Sequence, residues 1–350
     1  MARSSGSTGP TLAVVAREAG VSVPTASKVV NGREDVAPET RRRVTEVLDR
    51  LGYIRRPRCE TPKPAPMVDL VVHSLDSAWS GAVLHGATEA AHEAGLEVVV
   101  SAAATRGRGG RGGPSEHGWP DKLYARGSSG VLFHLTELAP VQYSWLDEHR
   151  IPFVMIDPAH DPPPGVPSVA AANWQGGMAA TEHLIELGHR RIAVIGGPGR
   201  AVRDGGRVAG YRSAMAAAGV PVPSAYMRYG DVSEAGARRR MAELLDLPEP
   251  PTAVFVCSDQ MVPGVYQAAG ERGLRVPRDI SVVGFDDLPQ ARWITPALTT
   301  VRQPLSEMAA AALRKLLRLM TGEVPEAIRT ELSTRLMVRS STAPPLRALL

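Results

Sequence analysis

The sequence is poor in the residues on which several protein classes depend. Of its 350 residues, 5% are aromatic and two are cysteines, Cys59 and Cys257, which stand far apart with no CxxC or Cys/His spacing. Neither a disulfide framework nor a zinc site is therefore predicted. No apolar run approaches the roughly 20 residues of a membrane span, and the Ser/Gly/Thr-rich start lacks the apolar stretch of a signal peptide. We expect no membrane association and a cytoplasmic location.

Sequence signatures of catalysis are also missing. The chain contains no GxxxxGK, GxSxG or HExxH motif and no catalytic Cys/His pattern. A GxGxxG match lies in TRGRGGRGGPSEHG, residues 105–118, but more loop follows it, whereas a nucleotide site needs a helix there. Asp286 and Asp287 are adjacent, and consecutive side chains usually point in different directions, which makes a poor acid/base pair. We expect an exposed loop at 105–118, and no enzyme activity, cofactor or metal.

The net charge of +4 is concentrated at one end of the chain. Residues 1–66 hold 12 Lys and Arg against 7 Asp and Glu, so the remainder is close to neutral. This asymmetry indicates a head that binds a polyanion and a neutral body. The alternative is an accident of high arginine usage.

The basic head predicts short helices with recognisable ends. Thr11 is the expected N-cap of a first helix, which Gly20 ends. Ser22 is a good N-cap for a second helix, with Pro24 in its first turn, where a missing N–H costs little. That helix is expected to run to about Asn31.

A third helix and then a break complete the head. The helix is expected from near Pro38 to Gly52, with Arg41, Arg42 and Arg43 facing water or phosphate. From residue 54 to residue 66 the sequence becomes rich in arginine and proline, which breaks regular structure and indicates a linker.

Beyond the linker, apolar runs alternate with helical patterns, the signature of parallel sheets with crossover helices. Two such sheets fit the length better than one. The expected strands are Val68–His73, Glu97–Ser101, Gly130–His134, Phe153–Asp157, Ile192–Gly196, Ala253–Cys257 and Val282–Phe285.

The stretch TLAVVAREAGVSVPTASKVVNGREDVAPETRRRVTEVLDRLGY, Thr11 to Tyr53, closely resembles the DNA-binding head of the LacI/GalR family of bacterial transcription regulators. HLIELGHRRIAVIGGP, SDQMVPGV, DISVVGFDDLP and LTTVRQP resemble that family's effector-binding body, in the same order. The resemblance implies an α/β protein: an N-terminal all-α helix-turn-helix head and a periplasmic-binding-protein-like body of two subdomains with parallel sheets.

The domain boundaries follow from this resemblance, with strands crossing between subdomains near Ala170, Val301 and Glu323. We predict the head at residues 1–56, a hinge or linker at 57–66, an N-terminal effector subdomain at 67–170 and 302–323, and a C-terminal effector subdomain at 171–301 and 324–341.

The second helix is the expected recognition helix in the major groove. By resemblance Val23, Pro24 and Lys28 occupy the family's base-reading positions. Lys28 can reach guanine acceptors, whereas Val23 either contacts a thymine methyl group or packs within the head. The predicted DNA-binding residues are Leu12, Ser22, Val23, Pro24, Thr25, Ser27, Lys28, Asn31, Thr40, Tyr53, Arg55 and Arg56.

The linker departs from the family pattern. Arg55 and Arg56 replace the usual Pro-Asn, and Pro62 stands where many members insert a leucine into the minor groove. Pro62 and the two prolines after it argue against a regular helix. We expect these arginines, with Arg58 and Tyr53, to contact phosphates or the minor groove instead.

Polar residues just after strands are the candidate effector ligands, because open α/β sheets bind ligands outside the carboxyl ends of their strands. By resemblance Arg207 matches the family arginine that reaches the ligand. Trp79 and Trp174 either stack on a sugar ring or pack at an interface, and Asp287 is expected to shape its turn. The predicted effector-binding residues are Trp79, Asp157, Asn173, Trp174, Arg207, Ser258 and Asp286.

Carboxylates and a guanidinium suit a polyhydroxylated ligand. The sequence therefore predicts a nucleoid-associated DNA-binding regulator, a repressor of sugar-utilisation genes, controlled by a mono- or oligosaccharide between two subdomains. Its expected partners are operator DNA, this effector and a second copy of itself, because a symmetric pair doubles the DNA contacts. The alternative is a sugar-binding protein without a transcriptional role. Whether the sugar weakens or tightens DNA binding stays open.

Overall fold

The structure is a computed structural model that divides into two units, a head (Met1–Pro64) and a body (Ala65–Leu350). The glycine-rich loop 105–118, the linker as far as residue 65, and the predicted contacts Arg55, Arg56 and Arg58 lie outside the described residues, as do Cys59 and Pro62. The described residues are 10–33, 35–53, 66–103, 119–197 and 202–346.

Residues 10–33 and 35–53 of the head form the three helices that the sequence predicts: α1 (Leu12–Glu18), α2 (Val23–Val30) and α3 (Pro38–Leu51). Their apolar residues recur at helical spacing and meet in one small core. Its buried members are Val15, Ala16, Ala19, Ala26, Val29, Val44 and Val47.

Two of the helix ends show how local residues set the boundaries. The hydroxyl of Ser22 accepts a hydrogen bond from the backbone N–H of Thr25 at 3.3 Å, as predicted for an N-cap. Gly52 ends α3 with a φ of +61°, which a residue without Cβ adopts readily. Thr11 is the N-cap residue of α1, but its side chain makes no capping bond, so that part of the prediction was wrong.

The body alternates strands and helices, and no helix within the described ranges is long and apolar enough to cross a membrane. In chain order the elements are β1 (Met67–Val72), α4 (Ala78–Glu93), β2 (Glu97–Ala102), α5 (Trp119–Arg126), β3 (Gly130–His134), α6 (Pro140–Glu148), β4 (Phe153–Ile156), β5 (Ser168–Ala171), α7 (Asn173–Glu186), β6 (Ile192–Gly196), α8 (Val202–Ala217), β7 (Met227–Tyr229), α9 (Glu234–Leu245), β8 (Ala253–Val256), α10 (Val262–Glu271), β9 (Ser281–Asp286), α11 (Gln290–Trp293), β10 (Thr299–Arg302), α12 (Leu305–Met320), β11 (Arg329–Leu332) and β12 (Arg335–Met337).

Two six-stranded sheets organise these elements. The first has the order β11-β5-β4-β3-β1-β2 and the second β12-β10-β9-β8-β6-β7. All pairs are parallel except that of β10 with β12. We call each sheet with the helices packed on it a subdomain. The two-sheet α/β architecture predicted from the sequence is confirmed.

Both faces of the first sheet are covered, as its nearly continuous apolar strands require. Leu70 and Val72 face the apolar cluster that α4 and α12 cover, whereas Val71 faces the cluster of Trp119 and Leu146 on the opposite side. Successive side chains of a strand point to opposite faces, so one strand serves both clusters.

Among the strands that the structure describes, the chain passes between the sheets three times, after β5, after β10 and after β11. The third crossing was predicted near Glu323, and that prediction was wrong. Residues Arg329–Leu332 pair in parallel with Ser168–Ala171 in the first sheet, so the crossing falls between Leu332 and Arg335. Residues 324–332 therefore belong to the first subdomain and not to the second.

Candidate functional site

Two glycines bring α7 and α8 close together in the second subdomain. A methyl group at Gly177 would overlap the backbone carbonyl of Arg207, and one at Gly210 would overlap the carbonyl of Trp174. Glycine is required wherever backbones approach this closely. The approach places Asn173, the first residue of α7, beside the side chain of Arg207.

Arg207 is the centre of a buried polar cluster, and none of its side chain is exposed. Its Nε donates to Asn173 Oδ1 at 2.8 Å, and its Nη1 donates to the carbonyl of Cys257 at 2.5 Å. The same Nη1 lies 3.2 Å from Asp286 Oδ1, and Cζ lies 3.8 Å from the centre of the Phe285 ring. The guanidinium is thus fixed by an amide, a carbonyl, a carboxylate and an aromatic face.

Asp286 receives further donors from two neighbouring strand ends. The Ser258 hydroxyl donates to its Oδ2 at 2.8 Å, and Gln303 Nε2 donates to its Oδ1 at 2.5 Å. Ser258, Asp286 and Gln303 lie at the carboxyl ends of β8, β9 and β10. Ligands of open parallel sheets bind at this edge.

Two atoms of this cluster are left unsatisfied. Among the described residues, Arg207 Nη2 and Gln303 Oε1 are buried and have no hydrogen-bond partner. A buried polar atom without a partner costs free energy and calls for an explanation. One is a donor and the other an acceptor, and a hydroxyl group can fill either role of partner.

The start of α2 presents an exposed surface on the head. Ser22, Val23 and Pro24 are exposed, and Val23 at 45% exposure is not part of the head's core. The alternative that Val23 packs within the head is therefore wrong. The Ser22 and Thr25 hydroxyls lie 2.8 Å apart, and Asn31 Nδ2 donates to Ser27 Oγ at 3.2 Å.

Lys28 does not extend freely from α2. Its Nζ lies 2.7 Å from Asp35 Oδ2, and this hydrogen bond lowers the pKa of Asp35 below its usual range. Both side chains are largely exposed, so the pair is easily broken. Arg41, which we expected to face water or phosphate, donates to the carbonyl of Arg33.

The remaining predicted DNA contacts of the head are half-buried. Leu12 and Tyr53 pack against the head's core, and Thr40 lies in the first turn of α3. Their roles in DNA binding stay predictions.

Comparison with known proteins identifies the family to which this chain belongs. Residues 11–56 match the lacI family of bacterial regulatory proteins, and residues 181–342 match a periplasmic binding protein-like domain. The HTH-type transcriptional regulator CelR of Thermobifida fusca is 36% identical over 344 residues, which cover 95% of this chain and 98% of that protein. This chain belongs to the LacI family of bacterial regulatory proteins. It is therefore a DNA-binding transcriptional regulator.

Solved structures of LacI-family regulators have the same fold. The transcriptional regulator CelR–cellobiose complex superposes with a TM-score of 0.70 at 35% identity, covering 95% of this chain and 99% of that one. The lac repressor dimer bound to operator and the anti-inducer ONPF gives 0.69 at 28% identity, covering 96% and 100%.

Two of the other effector residues expected from the LacI-family resemblance lie in the first subdomain, and the third, Trp174, lies next to Asn173. Trp79 and Asp157 belong to the first subdomain, where both are buried. Asp157 follows β4 with a φ of +47° and donates its N–H to the carbonyl of Val169 at 2.8 Å. Trp174 follows Asn173 and is 42% exposed. Their roles stay predictions, whereas Asn173, Arg207, Ser258 and Asp286 come together in one cluster.

Sequence reasoning missed two residues of this LacI-family site, Gln303 and Asp259. The carboxylate of Asp259 accepts the Thr300 hydroxyl at 2.7 Å and the backbone N–H of Leu288 at 3.0 Å. Burial, together with the neighbouring Asp286, raises the pKa of Asp259 well above its usual range. Each missed residue follows a strand closely, which is the signal that could have identified it.

Proposed function

We propose that this regulator is a repressor of genes for carbohydrate use and that a small sugar, bound between the two subdomains, controls its affinity for operator DNA. The observation that carries the proposal is the buried Arg207–Asp286 pair with an unused donor and an unused acceptor beside it. The cellobiose in the CelR complex supports a sugar as the ligand class.

A sugar fits the chemistry of this cluster. Fixed charged groups and amides discriminate strongly in favour of ligands whose hydroxyls satisfy each of them. The half-exposed indole of Trp174, next to Asn173, offers an apolar face for a sugar ring. Trp79 and Asp157 would complete the site from the first subdomain. Cellobiose is therefore the first sugar to test, followed by other mono- and oligosaccharides.

The head is proposed to read DNA through the start of α2. The exposed Ser22, Val23 and Pro24 would face the base edges, and Lys28 would leave Asp35 to reach guanine acceptors. Leu12, Thr25, Ser27, Asn31, Thr40, Tyr53, Arg55 and Arg56 would hold phosphates or flank the reading positions.

We further propose that the protein acts without catalysis, in the cytoplasm and as a homodimer. Two heads related by a two-fold axis double the phosphate and base contacts on a symmetric operator. The lac repressor structure that superposes on this chain is a dimer on its operator.

The proposal is tested by fluorescence anisotropy at fixed salt, with labelled DNA from upstream of the protein's own gene and a scrambled DNA of equal length. Specific binding that one sugar changes by at least about fivefold is expected, the low end of ordinary allosteric coupling. Tight sugar binding without preference for the natural DNA would contradict the proposal. It would instead support a sugar-binding protein that has no transcriptional role.

Two variants assign the response to the cluster. Arg207→Ala removes the central guanidinium and is expected to abolish the sugar response while specific DNA binding persists. Arg212→Ala is the matched control, because Arg212 lies on the same helix and is exposed. If the sugar response survives Arg207→Ala, the site is elsewhere.

A further inference from the structure

The turn that follows β9 has an unusual backbone. Asp286 and Asp287 have φ values of +121° and +56° in succession. Residues with a Cβ seldom adopt positive φ, and two in a row require the surroundings to hold them there. The turn begins at Asp286, which contacts Arg207, and its third residue is Leu288.

Carboxylates and cations fix the turn from several sides. Asp259 Oδ2 accepts the N–H of Leu288 at 3.0 Å. The carboxylate of Asp287 pairs with Arg339 and lies 3.8 Å from Arg292 Nη2. Asp259 is itself buried and lies against Gly284, where any side chain would displace it. The position of Leu288 is therefore set by the second subdomain.

Leu288 leaves that subdomain and enters the core of the other one. It is 2% exposed, and it belongs to the first-sheet cluster, whose members include Trp79, Val83, Ile156, Met308 and Leu316. Val232, which precedes α9 in the second subdomain, packs against both this cluster and the core of its own sheet. Leu288 and Val232 thus join the two subdomains by apolar contacts.

We propose that Leu288 holds the two subdomains closed and that Asp259 is the positioning residue that aims it. Only one residue separates Leu288 from Asp286. A rearrangement of Asp286 therefore moves the apolar contact, and withdrawal of Leu288 from the cluster moves Asp286. This inference goes beyond the proposed function, because it concerns the closure of the body and holds whatever ligand the site binds.

The proposal is tested by hydrogen exchange with mass spectrometry on the full-length protein without ligand. Leu288→Ala is expected to raise exchange about tenfold in three separate segments, 74–83 around Trp79, 228–236 around Val232 and 286–290, because opening exposes both contact points together. A local cavity would affect only the segments next to residue 288. The head segments 10–33 and 35–53 should not change.

Matched variants separate closure from general loss of stability. Leu316→Ala removes an equally buried leucine of the same cluster and is expected to raise exchange in α12 but not in 228–236 or 286–290. Leu288→Met should exchange like wild type, because it conserves volume. If Leu288→Ala does not fold, Leu288→Val provides a milder truncation with the same expected pattern.

Asp259→Ala tests the positioning role, since it removes the acceptor of the Leu288 N–H together with that of the Thr300 hydroxyl. Faster exchange in 286–290 and in 228–236 is expected. Unchanged exchange around Val232 in both the Leu288 and the Asp259 variants would overturn the proposal.

Discussion

Arg207 Nη1 lies 3.2 Å from Asp286 Oδ1, and neither side chain has any exposed surface. A buried ion pair of this kind gains little net stability, because both charges lose their hydration. Breaking it by removing one partner is costly, by about 3–5 kcal/mol, since the other charge stays buried without compensation. The proposed function therefore assigns this pair to ligand recognition and not to stability.

Asn173→Ala should weaken sugar binding about tenfold, because it removes the acceptor of the Arg207 Nε at 2.8 Å and lets the guanidinium rotate. It should also lower the free energy of unfolding by about 1–3 kcal/mol, the cost of a buried donor left unsatisfied. Titration calorimetry and chemical denaturation measure the two effects. Gln175→Ala, at an exposed position of the same helix, should change neither.

Gly210→Ala should separate α7 from α8, because the new methyl group overlaps the carbonyl of Trp174. We expect a loss of about 1–3 kcal/mol in unfolding free energy and weaker sugar binding as Arg207 moves away from Asn173. Gly205→Ala is the control on the same helix, since a Cβ there meets no atom within 4 Å. Equal stability of the two variants would contradict the close-packing argument.

Asp35→Asn should raise operator affinity, because it frees Lys28 and removes a negative charge beside the recognition helix. Lys28→Ala should weaken operator binding by about 1–3 kcal/mol, because it removes the side chain proposed to read a guanine. The loss should disappear on an operator in which that guanine is replaced by another base. Fluorescence anisotropy at several salt concentrations distinguishes a lost base contact from a general change in charge, because only the charge effect depends strongly on salt. Asp49→Asn, an exposed change of equal charge on α3, is the control, and an equal gain from it would show a general charge effect.

The stability of the body should fall as the pH drops below about 6.5. Burial lowers the pKa of both His183 and His189 below their ordinary value. The unfolded chain then binds protons in a range where the folded chain does not, so the free energy of unfolding decreases with falling pH. His189 also bonds Thr252 Oγ1 at 2.9 Å and Ser281 Oγ at 3.0 Å, which holds the ring in place.

The melting temperature measured between about pH 7.5 and pH 5 tests this loss of stability. His189→Gln should make the melting temperature depend less on pH. His85→Gln, at an exposed site on α4, should leave the slope as it is in the wild type. A wild-type melting temperature that does not change over this range would contradict the assignment.

The helices of the head could be predicted to within a residue because Ser22, Gly52 and their neighbours set the ends locally. The sheet to which β11 belongs could not be predicted in this way. Its sequence, Arg-Thr-Glu-Leu, has no apolar run, and its residues alternate between exposed and half-buried at the edge of a sheet. Pairing with Ser168–Ala171 is a long-range choice that no local pattern records.

The candidate site was predictable where a polar residue directly follows an apolar strand, as Asp286 does. Its partners were harder to find. That Arg207 bonds Asn173 depends on the close approach at Gly177 and Gly210, which is a property of packing. The pairing of Lys28 with Asp35 likewise joins two exposed side chains seven positions apart.

Sugar bound in the body and operator bound at the head are expected to change each other's affinity. Linkage requires this effect to be reciprocal, so calorimetric titration of cellobiose into the free protein and into its operator complex tests it directly. The two dissociation constants for cellobiose should differ by at least about fivefold, and operator affinity with and without cellobiose should differ by the same factor. Equal dissociation constants, with both ligands bound at once, would contradict it.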